Sequence, residues 1–280
     1  MGTLFVVATP IGNLEDVTLR ALRVLREVDL LLAEDTREVR KLLDRHGIAA
    51  RPVSLHAHNE VRRQSEALAA LEAGRKVALV SDAGTPLVSD PGERLVAAAV
   101  AAGHGVEAVP GASAVLAALV VAGLPTERFT FVGFLPRRAA ERARLLARLR
   151  DARETLVFFE SPRRLVATLR ELAQRLGDRR AAVARELTKH FEEVARGRLH
   201  ELAERFAEGV RGEVTLVVEG GGEGEAVVAE EDLDAEIRAR IAAGGRAREI
   251  AAALAPATGL PKRAIYARAL ALARERTGLG

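Results

Sequence analysis

At 280 residues the chain is about twice the length of a typical domain, so two folded units are expected rather than one. The absence of cysteine excludes disulfides, thiolate metal sites and cysteine nucleophiles, and a net charge of +3 is too small for the whole chain to be a polyanion-binding surface. Hydrophobic residues make up 49% but aromatics only 3%, so Ala, Val and Leu must fill the cores, and no apolar run approaches the roughly 18 residues that cross a bilayer.

The chain opens MGTLFVVATPIGN, which lacks a basic stretch and meets Pro10 too early for a secretory leader; Val6 stands where a myristoylation pattern needs Ser or Thr. Residues 4–9 (LFVVAT) read as a buried strand, and 18–28, with Leu19, Leu22, Leu25 and Val28 in register, as a helix. Residues 30–33 (LLLA) form the next strand, followed by a helix to His46. Strands at 52–56, 77–81 and 106–110 alternate with helices over 61–73, 93–102 and 112–122. Strict alternation implies a parallel sheet covered by helices.

Gly123-Leu124-Pro125 breaks the rhythm and is expected to end a first α/β domain, residues 1–123. A second α/β domain, 124–220, has strands at 129–134, 155–160, 181–186 and 213–220. A further strand near 192–196 would make its sheet mixed. Residues 220–236 then carry seven acidic side chains and no basic one, the mark of a solvated linker placed at 221–236. Residues 237–280 carry nine Lys or Arg against Glu249 and Glu275, a local charge of +7. Apolar positions at helical spacing (Ile250, Leu254, Leu260, Ile265, Leu270), with a break near 256–261, make it a small basic helical appendage.

In a parallel α/β sheet the ligand crevice lies beyond the carboxyl ends of the strands. Five polar loops converge there: 9–13 (TPIGN), 34–37 (EDTR), 56–60 (HAHNE), the doubly punctuated 81–92 (SDAGTPLVSDPG) and 110–113 (PGAS). Each alone is an ordinary turn, but together they make a site. The first turn has only Gly12, not the glycine triplet of a dinucleotide fold, and the chain has no Gly-Lys pair for a P-loop. His56 and His58 have no third ligand nearby, so no metal site is expected.

In order along the chain, ATPIGNLEDVTLRALRVL, AEDTR, VSDAGTPLVSDPG, VPGASA, FFESPRR, ARELTKHFEEVARG and RGEVTLVVEG resemble the tetrapyrrole-methylase superfamily. Within it they resemble the branch of ribosomal RNA small subunit methyltransferases I. The resemblance spans residues 3 to about 220, and the basic tail is similar to that branch's C-terminal extension. It implies two α/β domains, S-adenosylmethionine in the cleft between them, a homodimer and a cytoplasmic enzyme. It further implies that Pro10, Asp82, Gly84, Thr85, Val88, Ser113 and Ala114 bind the cofactor, small residues letting the main chain approach it. Thr85 stands where the superfamily has an Asp, so that Asp's role in the porphyrin enzymes is not carried over.

The implied reaction is methylation of the 2′-hydroxyl of a cytidine in the decoding region of 16S ribosomal RNA within the small subunit; the alternative is a tetrapyrrole-like small molecule. A sulfonium methyl is already electrophilic, so no metal is needed, and positioning supplies much of the rate. A carboxylate or amine at the hydroxyl would help. Among Glu34, Asp35, Asp82, Glu160, Glu186 and Lys189, the choice falls on Lys189 or Glu34, although Glu34 and Asp35 could equally cap a helix. Arg37, Arg40, Arg137, Arg138, Arg163 and Arg164 flank these loops as phosphate contacts, with Arg163 and Arg164 inside a motif. Lys262 and Arg263 open the last helix of a helix-turn-helix-like tail and are assigned to RNA. Phe134, Phe158 and Phe159 are candidate stacking partners for a splayed base, with core packing the favoured reading of Phe158 and Phe159, and strand alternation turns one of those two to the other side.

Overall fold

The computed structural model describes residues 1–56, 59–221, 230–258 and 262–277. Tertiary contacts divide the chain into two units, residues 1–147 with 155–219 and residues 148–154 with 220–280. Among the described residues no helix is long and apolar enough to cross a membrane.

The first unit contains two five-stranded sheets. One is built from β1 (Thr3–Val7), β2 (Leu30–Ala33), β3 (Pro52–Ser54), β4 (Lys76–Val80) and β5 (Gly105–Val109) in the order β3-β2-β4-β1-β5, every pair parallel. Its two faces are buried under different helices. α1 (Leu19–Glu27) and α2 (Thr36–Arg45) cover Val7, Leu31, Ala78 and Val80; α3 (Glu60–Glu72) and α4 (Glu93–Ala101) cover Leu4, Leu32, Val77 and Leu79. Each helix start is encoded locally where a capping side chain is present. Thr18 accepts from Ala21 N–H at 3.1 Å and Asp35 from Arg37 N–H at 2.8 Å, satisfying main-chain donors that the first turn leaves unpaired.

The second sheet is mixed, as expected. β6 (Phe129–Phe134), β7 (Thr155–Glu160), β8 (Arg180–Arg185), β9 (Glu193–Arg198) and β10 (Val214–Val218) run in the order β6-β7-β10-β8-β9. β6 and β7 are parallel; β10 is antiparallel to both β7 and β8. α5 (Ala114–Ala122) joins the sheets. Its Val115, Ala118, Leu119 and Ala122 share a core with Val157, Ala182, Ala184 and Val217, and with Ile11 from the loop after β1. The expected boundary at residue 123 is thus a passage from one sheet to the other inside a single unit. α6 (Ala139–Leu149), α7 (Leu165–Leu176) and α8 (Leu199–Arg205) complete the α/β pattern.

In the second unit α9 (Glu230–Ala242), α10 (Ala247–Thr258) and α11 (Lys262–Thr277) bury Leu233, Ile237, Ile250, Leu254, Ile265 and Leu272 against one another. The last seven residues of the segment expected as solvated linker are therefore helical. Leu233 anchors them, and Asp234 pairs with Arg268 at 2.7 Å. Residues 222–229, like His58 and Leu260, lie outside the described residues.

Candidate active site

The loops after β1 and β4 are bound to each other by a two-residue bridge. Thr9 N–H donates to Gly84 O at 2.8 Å and Gly84 N–H to Thr9 O at 3.0 Å. Gly84 has φ +77°, and a Cβ there would stand 3.3 Å from Ile11 Cγ2, so both the conformation and the space favour glycine. Thr85 Oγ1 donates to Ala112 O at 3.3 Å and ties in the loop after β5. Leu87 and Ser89 hold φ values of 74° and 73°, left-handed conformations that cost side-chain-bearing residues about 1–3 kcal/mol each. Such cost persists only where the surroundings over-determine the loop.

These loops and the second sheet enclose a cavity of about 340 Å3. Gly84, Thr85, Val88, Ser113 and Ala114 line one wall, five of the seven residues expected at the cofactor. Phe134, Phe159, Ala184 and Leu187 line the other, with Glu160 and Glu213. Ser113 also caps α5, accepting from Leu116 N–H. Phe158 points away and is fully buried, whereas Phe159 packs edge-on to Phe131 at 5.0 Å and against Phe134 at 5.6 Å, which resolves the alternation. Asp90 also lines this cavity, and burial raises its carboxyl above the usual range.

Pro10 and Asp82, the other two residues expected at the cofactor, do not line that cavity. They line a second one of about 460 Å3, with Thr9, Gly12, Lys189 and Glu213. Lys189 is set there by a turn after β8 in which Glu186 (φ 50°) and Thr188 (φ 66°) are both left-handed. Thr188 Oγ1 accepts from Asn13 N–H at 3.0 Å, fastening this turn to the loop after β1. The Lys189 stem crosses Gly12, where a Cβ would come within 2.5 Å of Lys189 Cγ. Its ammonium donates to Glu186 Oε1 at 3.0 Å and Glu213 Oε2 at 3.1 Å. Burial works against the charge, but these bonds and the two carboxylate charges outweigh it and hold the ammonium above its ordinary pKa. Lys189 is therefore a fixed cation and hydrogen-bond donor, not an amine that draws off a proton.

Glu34 lines neither cavity. It sits at the end of β2, where burial, reinforced by the charges of Asp82, Asp90 and Asp35, pushes its carboxyl up to about 7. Asp82 is likewise raised, chiefly by burial, while its Oδ1 accepts from Asp35 N–H at 2.7 Å. The arginines divide. Arg37 is exposed but bonds Asp35 through Nε at 3.0 Å, holding that carboxyl at about 2. Arg164 turns inward: it bonds buried Glu160 at 2.7 Å and Leu135 O at 3.3 Å, while Arg163 beside it is exposed. In the second unit Lys262 and Arg263 are exposed on the first turn of α11.

Glu213 lines both cavities and was not among the expected site residues. In the sequence it only opens an apolar run. Its position at the site follows from β10 running antiparallel to β7 and β8, which carries the start of β10 to the edge where its neighbours end.

The profile of the family described as Tetrapyrrole (Corrin/Porphyrin) Methylases matches residues 3–203. A relative from Micromonospora olivasterospora named ribosomal RNA small subunit methyltransferase I is 49% identical over 99% of this chain and 89% of its own. One from Halalkalibacterium halodurans with the same name is 46% identical over 95% of this chain and 93% of its own. Among solved structures, uroporphyrin-III C-methyl transferase from Thermus thermophilus complexed with S-adenyl homocysteine aligns with a TM-score of 0.55 and 26% identity, covering 78% of this chain and 97% of that one. The methyltransferase CobJ, at 22% identity and a TM-score of 0.61 over 79% of this chain and 95% of that one, shares the fold. With the two-sheet architecture and the small-residue cavity at the strand ends, these matches establish that the chain belongs to the tetrapyrrole (corrin/porphyrin) methylase family.

Proposed function

We propose that this chain is an S-adenosylmethionine-dependent methyltransferase of small-subunit ribosomal RNA, and that the group it methylates is the 2′-hydroxyl of a cytidine in the decoding region of 16S rRNA. The observation that carries the reading is the meeting of two cavities, one walled by small residues and main chain, the other bearing a fixed ammonium. The names of the Micromonospora and Halalkalibacterium relatives support the RNA class of substrate.

The first cavity suits the methyl donor. Its volume falls in the range of small-molecule sites, about 300–1,000 Å3. At Gly84 it presents a cradle that a side chain would fill, and Ser113 and Asp90 offer polar groups among apolar walls. S-adenosylmethionine, when bound, supplies a methyl group already activated on a sulfonium. The protein's own contribution is then to orient and to manage charge. Gly84, Thr85, Val88, Ser113 and Ala114 shape the donor's seat. Lys189 rather than Glu34 is the polar partner of the acceptor, donating to an oxygen on which negative charge develops. Phe134, 53% exposed at the cavity rim, offers a face on which a splayed base can stack.

Exposed Arg37 and Arg163, and Lys262 and Arg263 on α11, serve RNA phosphates in this reading. Arg164 supports the fold instead, through Glu160. We further infer a homodimer acting in the cytoplasm, supported for the dimer by the apolar Leu116 and Val120 exposed on α5. The test is calorimetric binding of S-adenosylmethionine, then tritium transfer to small ribosomal subunits with the modified position mapped by primer extension. Labelled cytidine 2′-O-methyl in the decoding region is the expected result. Label entering a tetrapyrrole and not the subunit would overturn it.

A further inference from the structure

We propose that Glu213 is the catalytic residue that takes the proton from the acceptor hydroxyl, with Lys189 as the fixed positive charge beside it. The proposal rests on the reading above for the nature of the acceptor. Its basis is where the two cavities adjoin. They share Ile11, Ala83 and Glu213, and of these only Glu213 carries a side chain that can accept a proton. A donor in the first cavity and a hydroxyl in the second react where the cavities meet, so the carboxylate at that junction is within reach of the reacting oxygen.

The other carboxylates nearby are spoken for or lie to one side. Glu160 is buried and accepts from Ser161 N–H, Arg164 and Thr168 Oγ1 at 2.6–2.8 Å. Asp90 lines only the first cavity and Asp82 only the second. Glu186 lines neither, and its Oε1 holds both the Lys189 ammonium and the Glu213 N–H. Glu213 combines a fixed root with an open end. Its N–H donates to Glu186 Oε1 at 2.9 Å and its C=O accepts from Glu186 N–H at 3.0 Å, while its side chain is 72% exposed.

In the transfer step the acceptor oxygen bonds to the methyl carbon as the methyl–sulfur bond breaks, and sulfur keeps that electron pair, leaving a neutral thioether. The hydroxyl proton passes to a carboxylate oxygen of Glu213 and from there to solvent, which the side chain already meets. Lys189, hydrogen-bonded to Glu213 and protonated throughout, stabilises the oxygen's developing charge without entering the proton count.

Glu213→Gln tests this. The amide keeps an oxygen for Lys189 to bond but cannot take a proton at working pH. In single-turnover transfer from tritiated S-adenosylmethionine to small subunits, the rate should fall by about 10²–10⁴-fold, the usual contribution of a positioned acid or base. Affinity for S-adenosylhomocysteine, measured by calorimetry, should be unchanged. Glu186→Gln, which loosens Lys189 but leaves the proton acceptor in place, should lose less of the single-turnover rate than Glu213→Gln does. A Glu213→Gln enzyme that binds S-adenosylhomocysteine normally and retains the wild-type rate overturns the proposal alone. A wild-type enzyme that binds S-adenosylhomocysteine yet transfers nothing to subunits overturns the RNA reading, and this proposal with it.

Discussion

Gly84 and Glu34 show how single residues at these strand ends are constrained in opposite ways. Gly84→Val would force a branched side chain into a left-handed conformation, with its Cβ 3.3 Å from Ile11. Calorimetry should show S-adenosylmethionine affinity weakened by an order of magnitude or more while circular dichroism still reports a folded chain; wild-type affinity would remove Gly84 from the donor seat. Glu34 is held for its protonated form. A carboxyl whose folded pKa, about 7, exceeds its unfolded value near 4.5 stabilises the fold below 4.5, and that contribution is lost as pH rises through 7. Glu34→Gln, a permanently neutral mimic, should therefore raise the thermal midpoint at pH 8 and leave it nearly unchanged at pH 4.5. An equal effect at both pH values would contradict the assignment.

At the scale of elements, β7 places adjacent phenylalanines in different worlds. Phe158 is fully buried, and Phe158→Ala should cost about 3–5 kcal/mol in denaturant unfolding. Phe159→Ala, at the cavity wall, should cost less stability and more donor affinity. Reversal of that order would mean the strand's two faces have been misassigned. Alternation of apolar runs and turns made the strands and helices legible, because burial on both faces of a parallel sheet leaves little else for the sequence to say. That the loops carrying Gly84, Thr85, Val88, Ser113 and Ala114 gather at one cavity was legible from the strand-end rule, whereas naming them as donor contacts rested on the family resemblance. Three things were not. Glu213 depends on one antiparallel pairing that no local pattern encodes. Arg164 looks like its neighbour Arg163 until the buried Glu160 one turn away is seen to claim it. The helical start at Glu230 lay hidden under a charge run, because Leu233 and Ile237 anchor a helix whose other side chains are largely charged.

Across the whole molecule, charge is segregated by sequence: seven acids in residues 220–236 precede a stretch of net +7. If the second unit grips ribosomal RNA, replacing Lys262 and Arg263 together by Glu should leave S-adenosylmethionine affinity intact and weaken subunit binding. The slope of log affinity against log salt should become shallower by about one for each phosphate left without its cation. Subunit binding with wild-type affinity and slope would assign these helices to stability or assembly instead.

The left-handed Leu87 and Ser89 carry a consequence for the way this chain can be engineered or can drift. Residues tolerant of that conformation, such as Asn, would relieve part of the cost at Ser89, so a library screened for heat resistance alone should enrich them there. Ser89 also lines the cavity proposed for the donor, and each larger side chain admitted would take volume from it. Thermal hardening and catalytic fitness would then pull the same codon in opposite directions, and a consensus drawn from heat-selected survivors would describe a sturdier protein with a poorer grip on its methyl donor.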